Sequence, residues 1–205
     1  MYAPPYNQVD DRAEVIALMR ANNFPLLVTG AGGELHASHL PCVVQDGGRD
    51  LVLLMHMAKS NSQWQQFFDE DAMVAFSGPH AYVSPRWYED AARVPTWNYA
   101  AVHAYGVPRV VDAREAKHDV MRQLVALMDP QWQPAFETLP SDYTEQMLAG
   151  IVVFKIPVTR IETRWKLSQN RGRREQELIV AQLEKSADST ERALAALTRK
   201  HLVKK

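Results

Sequence analysis

Between residues 24 and 57 the chain passes three times through apolar and β-branched runs, Phe24–Thr29, Glu34–Val44 and Leu51–Met57, separated only by Gly30-Ala31-Gly32-Gly33 and by Asp46-Gly47-Gly48. Turns this short join antiparallel neighbours, because a parallel pair needs a crossover of roughly a dozen residues or more. Further strand-like runs follow at Ala72–Ser77, His80–Ser84, Thr96–Val111 and Gly150–Ser168, with a Pro-bounded loop, Pro85–Pro95, between the second and third of these. Strands in runs with helices interspersed argue against a doubly wound parallel sheet. The expected fold is mainly β with helical insertions, an antiparallel β-barrel of about six strands within an α+β chain.

The helical signals are fewer. Asp10 and Asp11 can cap a helix carrying Ala13, Val15, Ile16 and Met19 on one side, ending at Asn22-Asn23 before Pro25. A short helix is expected over Asn61–Phe68, with Trp64, Phe67 and Phe68 at helical spacing. Asp112–Met128 and Ser141–Leu148 read as helices, the latter with Ser141 as cap and Gly150 as stop. Two more, Arg174–Lys185 and Thr190–Leu202, end the chain. The organisation expected is a barrel domain over 1–172, with a helical insertion around 112–148, and a C-terminal helical extension over 173–205.

Charge and thiol content narrow the partners. Lys and Arg number 23 against 24 Asp and Glu, so no global positive field draws the chain to nucleic acid or to a membrane. The single Cys42 cannot form an intrachain disulfide, and the start Met1–Asp10 has no basic and apolar leader, which together suggest a cytoplasmic protein. No apolar run approaches the roughly 18 residues of a membrane helix.

Three segments can carry chemistry. In Thr96–Gly106, two-residue alternation puts Trp97, Tyr99, Ala101, His103 and Tyr105 on one face and Asn98, Ala100, Val102 and Ala104 on the other. The aromatic face is either core or subunit interface, or a platform for a planar ligand. Met55–Ser62 lies where a strand hands over to the short helix, so Lys59, Ser60, Asn61 and Ser62 either form a phosphate seat at a helix N-terminus or are an ordinary cap beside a solvated lysine. Arg160–Arg174 packs six Lys/Arg and one Glu into fifteen residues, a solvated face or a patch for a phosphate-bearing ligand or nucleic-acid backbone. There is no GxxxxGK[ST], HExxH or GxSxG, and His36 and His39 fall on opposite faces of a strand, so neither protein-only catalysis nor a metal site has a motif. Chemistry, if present, resides in a cofactor.

Seven blocks, in order along the chain, carry a family resemblance. They are Met1-Tyr2-x-Pro4, Ser38-His39-Leu40-Pro41, His56-x-Ala58-Lys59-x-Asn61-x-Gln63-Trp64, Gly78-Pro79-His80-Ala81-Tyr82-Val83-Ser84-Pro85-x-Trp87-Tyr88, Val94-Pro95-Thr96-Trp97-Asn98-Tyr99, Val102-His103-Ala104-Tyr105-Gly106 and Lys166-Leu167-Ser168-Gln169-Asn170. Together they resemble the PaiB-type family of FMN-binding negative transcriptional regulators, over roughly residues 1–185. The resemblance implies an FMN-binding split barrel like that of the pyridoxamine-phosphate oxidases, a homodimer with FMN at the subunit interface. By the same resemblance Ser38, His39, Leu40 and Pro41 lie beside the flavin ring with His56 nearby, and Lys59, Ser60 and Asn61 hold the phosphate. Trp97, Asn98, Lys166, Ser168, Gln169 and Asn170 complete the site. The chain departs from the family pattern at Asn7, Ser62, Thr163 and Arg164; the last two stand where a Gly-Lys pair is usual, replacing a flexible turn residue and altering how a phosphate would be held. The functions left open are a flavin-binding transcriptional regulator, with DNA contact weakly supported by the basic segment and Arg199, Lys200, Lys204 and Lys205, a flavin-dependent oxidoreductase, and a non-catalytic flavin-binding module.

Overall fold

A computed structural model describes residues 1–31, 33–67, 70–89 and 92–203. The strands are β1 Leu26–Ala31, β2 Glu34–His39, β3 Cys42–Asp46, β4 Leu51–Ala58, β5 Ala72–Val83, β6 Thr96–Gly106, β7 Arg109–Val110, β8 Ile151–Pro157 and β9 Arg160–Lys166. The helices are α1 Arg12–Ala21, α2 Arg114–Met128, α3 Gln133–Phe136, α4 Ser141–Ala149, α5 Arg173–Leu183 and α6 Ser189–Lys200. Two antiparallel sheets result, ordered β2-β1-β5-β6-β9 and β3-β4-β8-β7. Among the described residues no helix is long and apolar enough to cross a membrane.

The chain divides into two compact units, Met1–Leu18 with Ser77–Val102 and Glu162–Lys205, and Met19–Phe76 with His103–Ile161. In the first, Asp11 Oδ1 accepts from the backbone N–H groups of Ala13 and Glu14 at 3.0 and 3.3 Å, so the expected aspartate cap starts α1. Helices α5 and α6 bury Ile179, Val180, Leu183, Leu194 and Ala195, and Trp165 and Leu167 are fully enclosed. In the second, β1 and β2 form the expected hairpin, pairing Leu27 with Ser38 and Thr29 with His36. β4 is buried on both sides: Leu53, Met55 and Met57 line one face, while Leu54 on the other packs with Val153 against Val120 and Leu124 of α2.

Several boundaries differ from those expected. The run Glu34–Val44 is two strands in two sheets, because Pro41 has no N–H to extend a ladder. The flanking Leu40 and Cys42 N–H groups donate instead to the carbonyls of Pro25 and Asn23 at 3.2 and 2.9 Å. Conversely, Ala72–Ser77 and His80–Ser84 are one strand running through Gly78-Pro79. A Cβ at Gly78 would lie 2.8 Å from Leu18 Cδ1 and 3.0 Å from the Ala100 carbonyl oxygen, so the glycine admits a close approach instead of marking a break. Thr96–Val111 stops at Gly106, where a Cβ would meet the Pro157 carbonyl oxygen at 2.1 Å, and resumes past Pro108 as β7 in the other sheet. Gly150–Ser168 is likewise two strands, β8 and β9. The short helix Asn61–Phe68 is a single 3-10 turn, Ser62–Gln66, and Phe68 lies outside the described residues. Ser141 is the first residue of α4 and not its cap, a position Pro140 takes without a side-chain bond.

The alternation in β6 runs as expected, but the aromatic face is not core. Asn98, Ala100, Val102 and Ala104 are at most 1% exposed, whereas Trp97 is 49% exposed. Small residues point inward because Leu18 of α1 presses on Gly78 close to Ala100, leaving no room there for rings.

Candidate functional site

The residues expected to bind a ligand form two groups, one in each unit. Ser38, His39, Leu40, Pro41, His56, Lys59, Ser60 and Asn61 belong to the second unit, and Trp97, Asn98, Lys166, Ser168, Gln169 and Asn170 to the first.

In the second unit, β4 ends at Ala58 and the chain turns through Lys59, Ser60 and Asn61. Asn61 Nδ2 donates to Ser38 Oγ at 3.0 Å, which fastens this turn to the end of β2. Asn61 Oδ1 accepts from the Gln63 N–H at 3.0 Å and so caps the 3-10 turn. The backbone N–H groups of Lys59 and Asn61 already donate to the carbonyls of Gly150 and Ala58, both at 2.9 Å. A five-residue 3-10 turn also carries little of an α-helix's dipole, so the expected helix N-terminus is not what this place offers an anion. What it does offer is the exposed side chains of Lys59 and Ser60 beside the Asn61–Ser38 pair, an ammonium, hydroxyls and a carboxamide. That donor set suits a phosphate monoester.

His56 sits on β4 at the level of Val153. Its Nδ1 is buried without a partner, and burial lowers the pKa of its ring. His39 is exposed and stacks on Phe24, ring centroids 5.6 Å apart, while Leu40 is buried.

In the first unit the expected donors are engaged with one another. Lys166 Nζ donates to Thr96 Oγ1 and, at 2.8 Å, to the Trp97 carbonyl oxygen. Burial, and then the neighbouring Arg164 charge, lower its pKa. Ser168 and Asn98 are buried and reciprocally bonded: Asn98 Nδ2 donates to Ser168 Oγ at 2.9 Å, and that hydroxyl donates to Asn98 Oδ1 at 3.2 Å. Ser168 holds this place at φ 60°, in the left-handed region. Gln169 accepts from the Leu167 N–H at 2.7 Å and donates to the Trp165 carbonyl; Asn170 is exposed. On the outward side of β5 and β6, a cleft of about 290 Å³ is lined by Ser77, Gly78, His80, Trp97, Tyr99, Ala100 and Ala101. His80 and Tyr82 flank Trp97 with ring centroids 5.8 and 6.3 Å away.

Two positions that depart from the family pattern have structural tasks. Thr163 lies inside β9 and not in a turn; its hydroxyl accepts from the Val9 N–H at 2.9 Å and donates to the Val9 carbonyl at 3.1 Å. Arg164 Nη1 donates to the Tyr2 carbonyl at 2.6 Å, with its guanidinium 5.4 Å from the rings of both Tyr2 and Tyr99. These side chains hold the N-terminal segment. The basic run around them is largely paired as well: Arg160 lies over the Tyr105 ring at 3.5 Å, and Arg173 and Arg174 bond to Glu177 and Glu89, both at 2.9 Å. Among the described residues no group of His, Cys, Asp and Glu could hold a metal ion.

Sequence reasoning assigned no role to Gln63, although it lies in one of the family blocks. It is 2% exposed, and only its position between Asn61 and Trp64 hinted at a task.

Comparison with known proteins adds the following. The family described as "Putative FMN-binding domain" matches residues 1–160. The Bacillus subtilis (strain 168) "Protease synthase and sporulation protein PAI 2" is 34% identical over 206 residues, spanning 100% of this chain and 99% of that protein. Among solved structures, an FAD and heme binding protein from Mycobacterium smegmatis superposes with a TM-score of 0.63 at 16% identity, over 78% of this chain and 73% of that one. The flavocytochrome Anf3 from Azotobacter vinelandii gives 0.62 at 15% identity, over 80% and 72%. The fold they share with this chain is the split barrel.

Proposed function

The chain belongs to the PaiB-type family of FMN-binding proteins, and from that membership we propose that it works as a homodimeric flavin-binding regulator whose effect on transcription does not run through its own basic residues. FMN is its cofactor. When bound, FMN supplies one- and two-electron redox chemistry. The chain's own part is to bind and orient it. Lys59, Ser60 and the Asn61–Ser38 pair are the residues that would take the phosphate, and this cluster is the observation that carries the reading.

The outward face of β5 and β6 supports a second copy as partner. Tyr82 and Trp97 are 45% and 49% exposed there beside His80, and adjoining exposed rings of this kind favour association. A single species of monomer mass in sedimentation at micromolar concentration would refute the dimer. Direct DNA contact is the weaker reading because Arg173 and Arg174 pair with carboxylates, as Arg199 and Lys200 do with Glu184 and Glu14, while Lys204 and Lys205 lie outside the described residues. A regulator of this kind should show no salt-dependent shift of promoter DNA.

Flavin affinity tests the phosphate cluster. Lys59→Ala is expected to weaken FMN by roughly ten- to 150-fold, the equivalent of a charge-assisted bond of about 1.5–3 kcal/mol, and to leave riboflavin, which lacks the phosphate, nearly unchanged. Equal weakening of both ligands, or of neither, overturns the assignment.

A further inference from the structure

Gln63 is the one deeply buried side chain of the Lys59–Gln66 segment, and its amide spans the β1–β2 hairpin. Its Nε2 lies 3.3 Å from the Leu27 carbonyl, 3.2 Å from Thr29 Oγ1 and 3.1 Å from the His36 carbonyl. Leu27 faces Ser38 and Thr29 faces His36 in the hairpin register, so the amide is anchored on both strands at neighbouring steps of the ladder. Its own backbone N–H is the donor that Asn61 Oδ1 accepts, and Asn61 in turn reaches Ser38. The chain of contacts therefore runs from the interior of the hairpin through Gln63 to Asn61 and out to Ser38. Thr29 is itself 4% exposed, so water cannot readily replace these bonds. Three acceptors surround a group with two hydrogens, while Oε1 has no partner, which marks the amide as a donor clamp.

We propose that Gln63 is the positioning residue of the phosphate cluster: without touching the ligand, it locks the Lys59–Asn61 turn onto the β1–β2 hairpin so that Lys59, Ser60 and Asn61 are held ready. The proposal rests on the FMN reading above and deepens it. A turn fixed before binding loses little further freedom when the ligand arrives, so less of the affinity from its contacts is spent on ordering.

The test uses Gln63→Met, which keeps the length and apolar bulk of the side chain and removes its donors. FMN and riboflavin affinities are measured by quenching of flavin fluorescence, and amide hydrogen exchange is followed over residues 59–63 and over β3 and β4. The expected result is a loss of FMN affinity of about tenfold or more, with riboflavin changed less than about threefold. Exchange should accelerate over 59–63 and stay unchanged in β3 and β4. Because Gln63 acts through the turn, adding Lys59→Ala to Gln63→Met should weaken FMN much less than the product of the two single effects. Equal weakening of the two flavins, unchanged binding of both, or unaltered exchange at 59–63 overturns the proposal. Should Gln63→Met fail to fold, Gln63→Asn shortens the side chain by one methylene and draws the amide back from the Leu27 and His36 carbonyls, and an unaltered preference for FMN over riboflavin in that variant overturns it equally. If the parent protein binds no FMN, the ligand reading falls, and the positioning role stands or falls on the exchange data alone.

Discussion

Replacing Ser168 separates two opposed effects at one buried position. Its hydroxyl is the partner of both polar atoms of the Asn98 carboxamide, which is 0% exposed, and its backbone sits at φ 60°. Ser168→Ala deletes the hydroxyl and keeps the unfavourable backbone. Leaving a buried amide donor and acceptor unsatisfied should destabilise the fold by about 2–4 kcal/mol. Ser168→Gly orphans the same atoms but removes the clash of Cβ with its own backbone, returning about 1 kcal/mol of the 1–2 that an L-residue loses in the left-handed region. At roughly 2–4 °C per kcal/mol for a chain of this length, alanine should lower the thermal midpoint by roughly 5–15 °C, and glycine by a few degrees less. Urea unfolding followed by circular dichroism gives the same order if the slope against denaturant is unchanged among the variants. An alanine variant as stable as the glycine variant would show that the backbone carries no strain there. Two variants as stable as the parent would remove the Asn98–Ser168 pair as a structural element.

Two further outcomes follow from ionisable groups. Glu14 lies 2.6 Å from His201 and 3.3 Å from Lys200; burial raises its pKa, but the bonds and charges of those partners outweigh this and the net shift is downward. Its folded value is below its unfolded one, so the contribution is present above the unfolded value of 4.5 and is lost as pH falls through the folded value. Glu14→Gln should therefore lower stability at pH 6 by about 1 kcal/mol, the gap narrowing as pH falls below 4.5, and a gap that widens on acidification would contradict the pairing. The Cys42 thiol is fully buried, which pushes its pKa up to about 12, so it should react with a disulfide reagent only when urea unfolds the chain; rapid labelling of the native protein would refute its burial.

The local rules that could be read from the sequence were those set by neighbours along the chain. Asp11 as a cap and the hairpin around Gly30–Gly33 depend on residues a few positions apart, and both stand in the structure. At two glycines the atoms that matter are distant in sequence. Gly106 admits the close approach of the Pro157 carbonyl, and Gly78 that of Leu18 and Ala100. The same distinction holds at the candidate site. The blocks pointed to Lys59, Asn61 and Ser38, but the bond from Asn61 to Ser38 crosses 23 positions, and Gln63 reads as a polar residue on a short helix until the hairpin beneath it is seen. Thr163 and Arg164 were legible only as departures, since their partners Val9 and Tyr2 lie more than 150 residues away.

The link Leu40-Pro41 has a bearing on engineering. It connects β2 in one sheet to β3 in the other, with the amide groups on either side bonded to Pro25 and Asn23. A peptide spliced in there would free β2 and β3 to slide independently, and a slip of one residue turns every side chain of a strand to its opposite face. The Asp46–Asp50 turn is different: its residues are exposed, Asp46 and Leu51 remain partnered across its base, and lengthening it raises only the slowly growing entropy of loop closure. A reporter or affinity peptide belongs in that turn, where the register on either side is already held by β3 and β4.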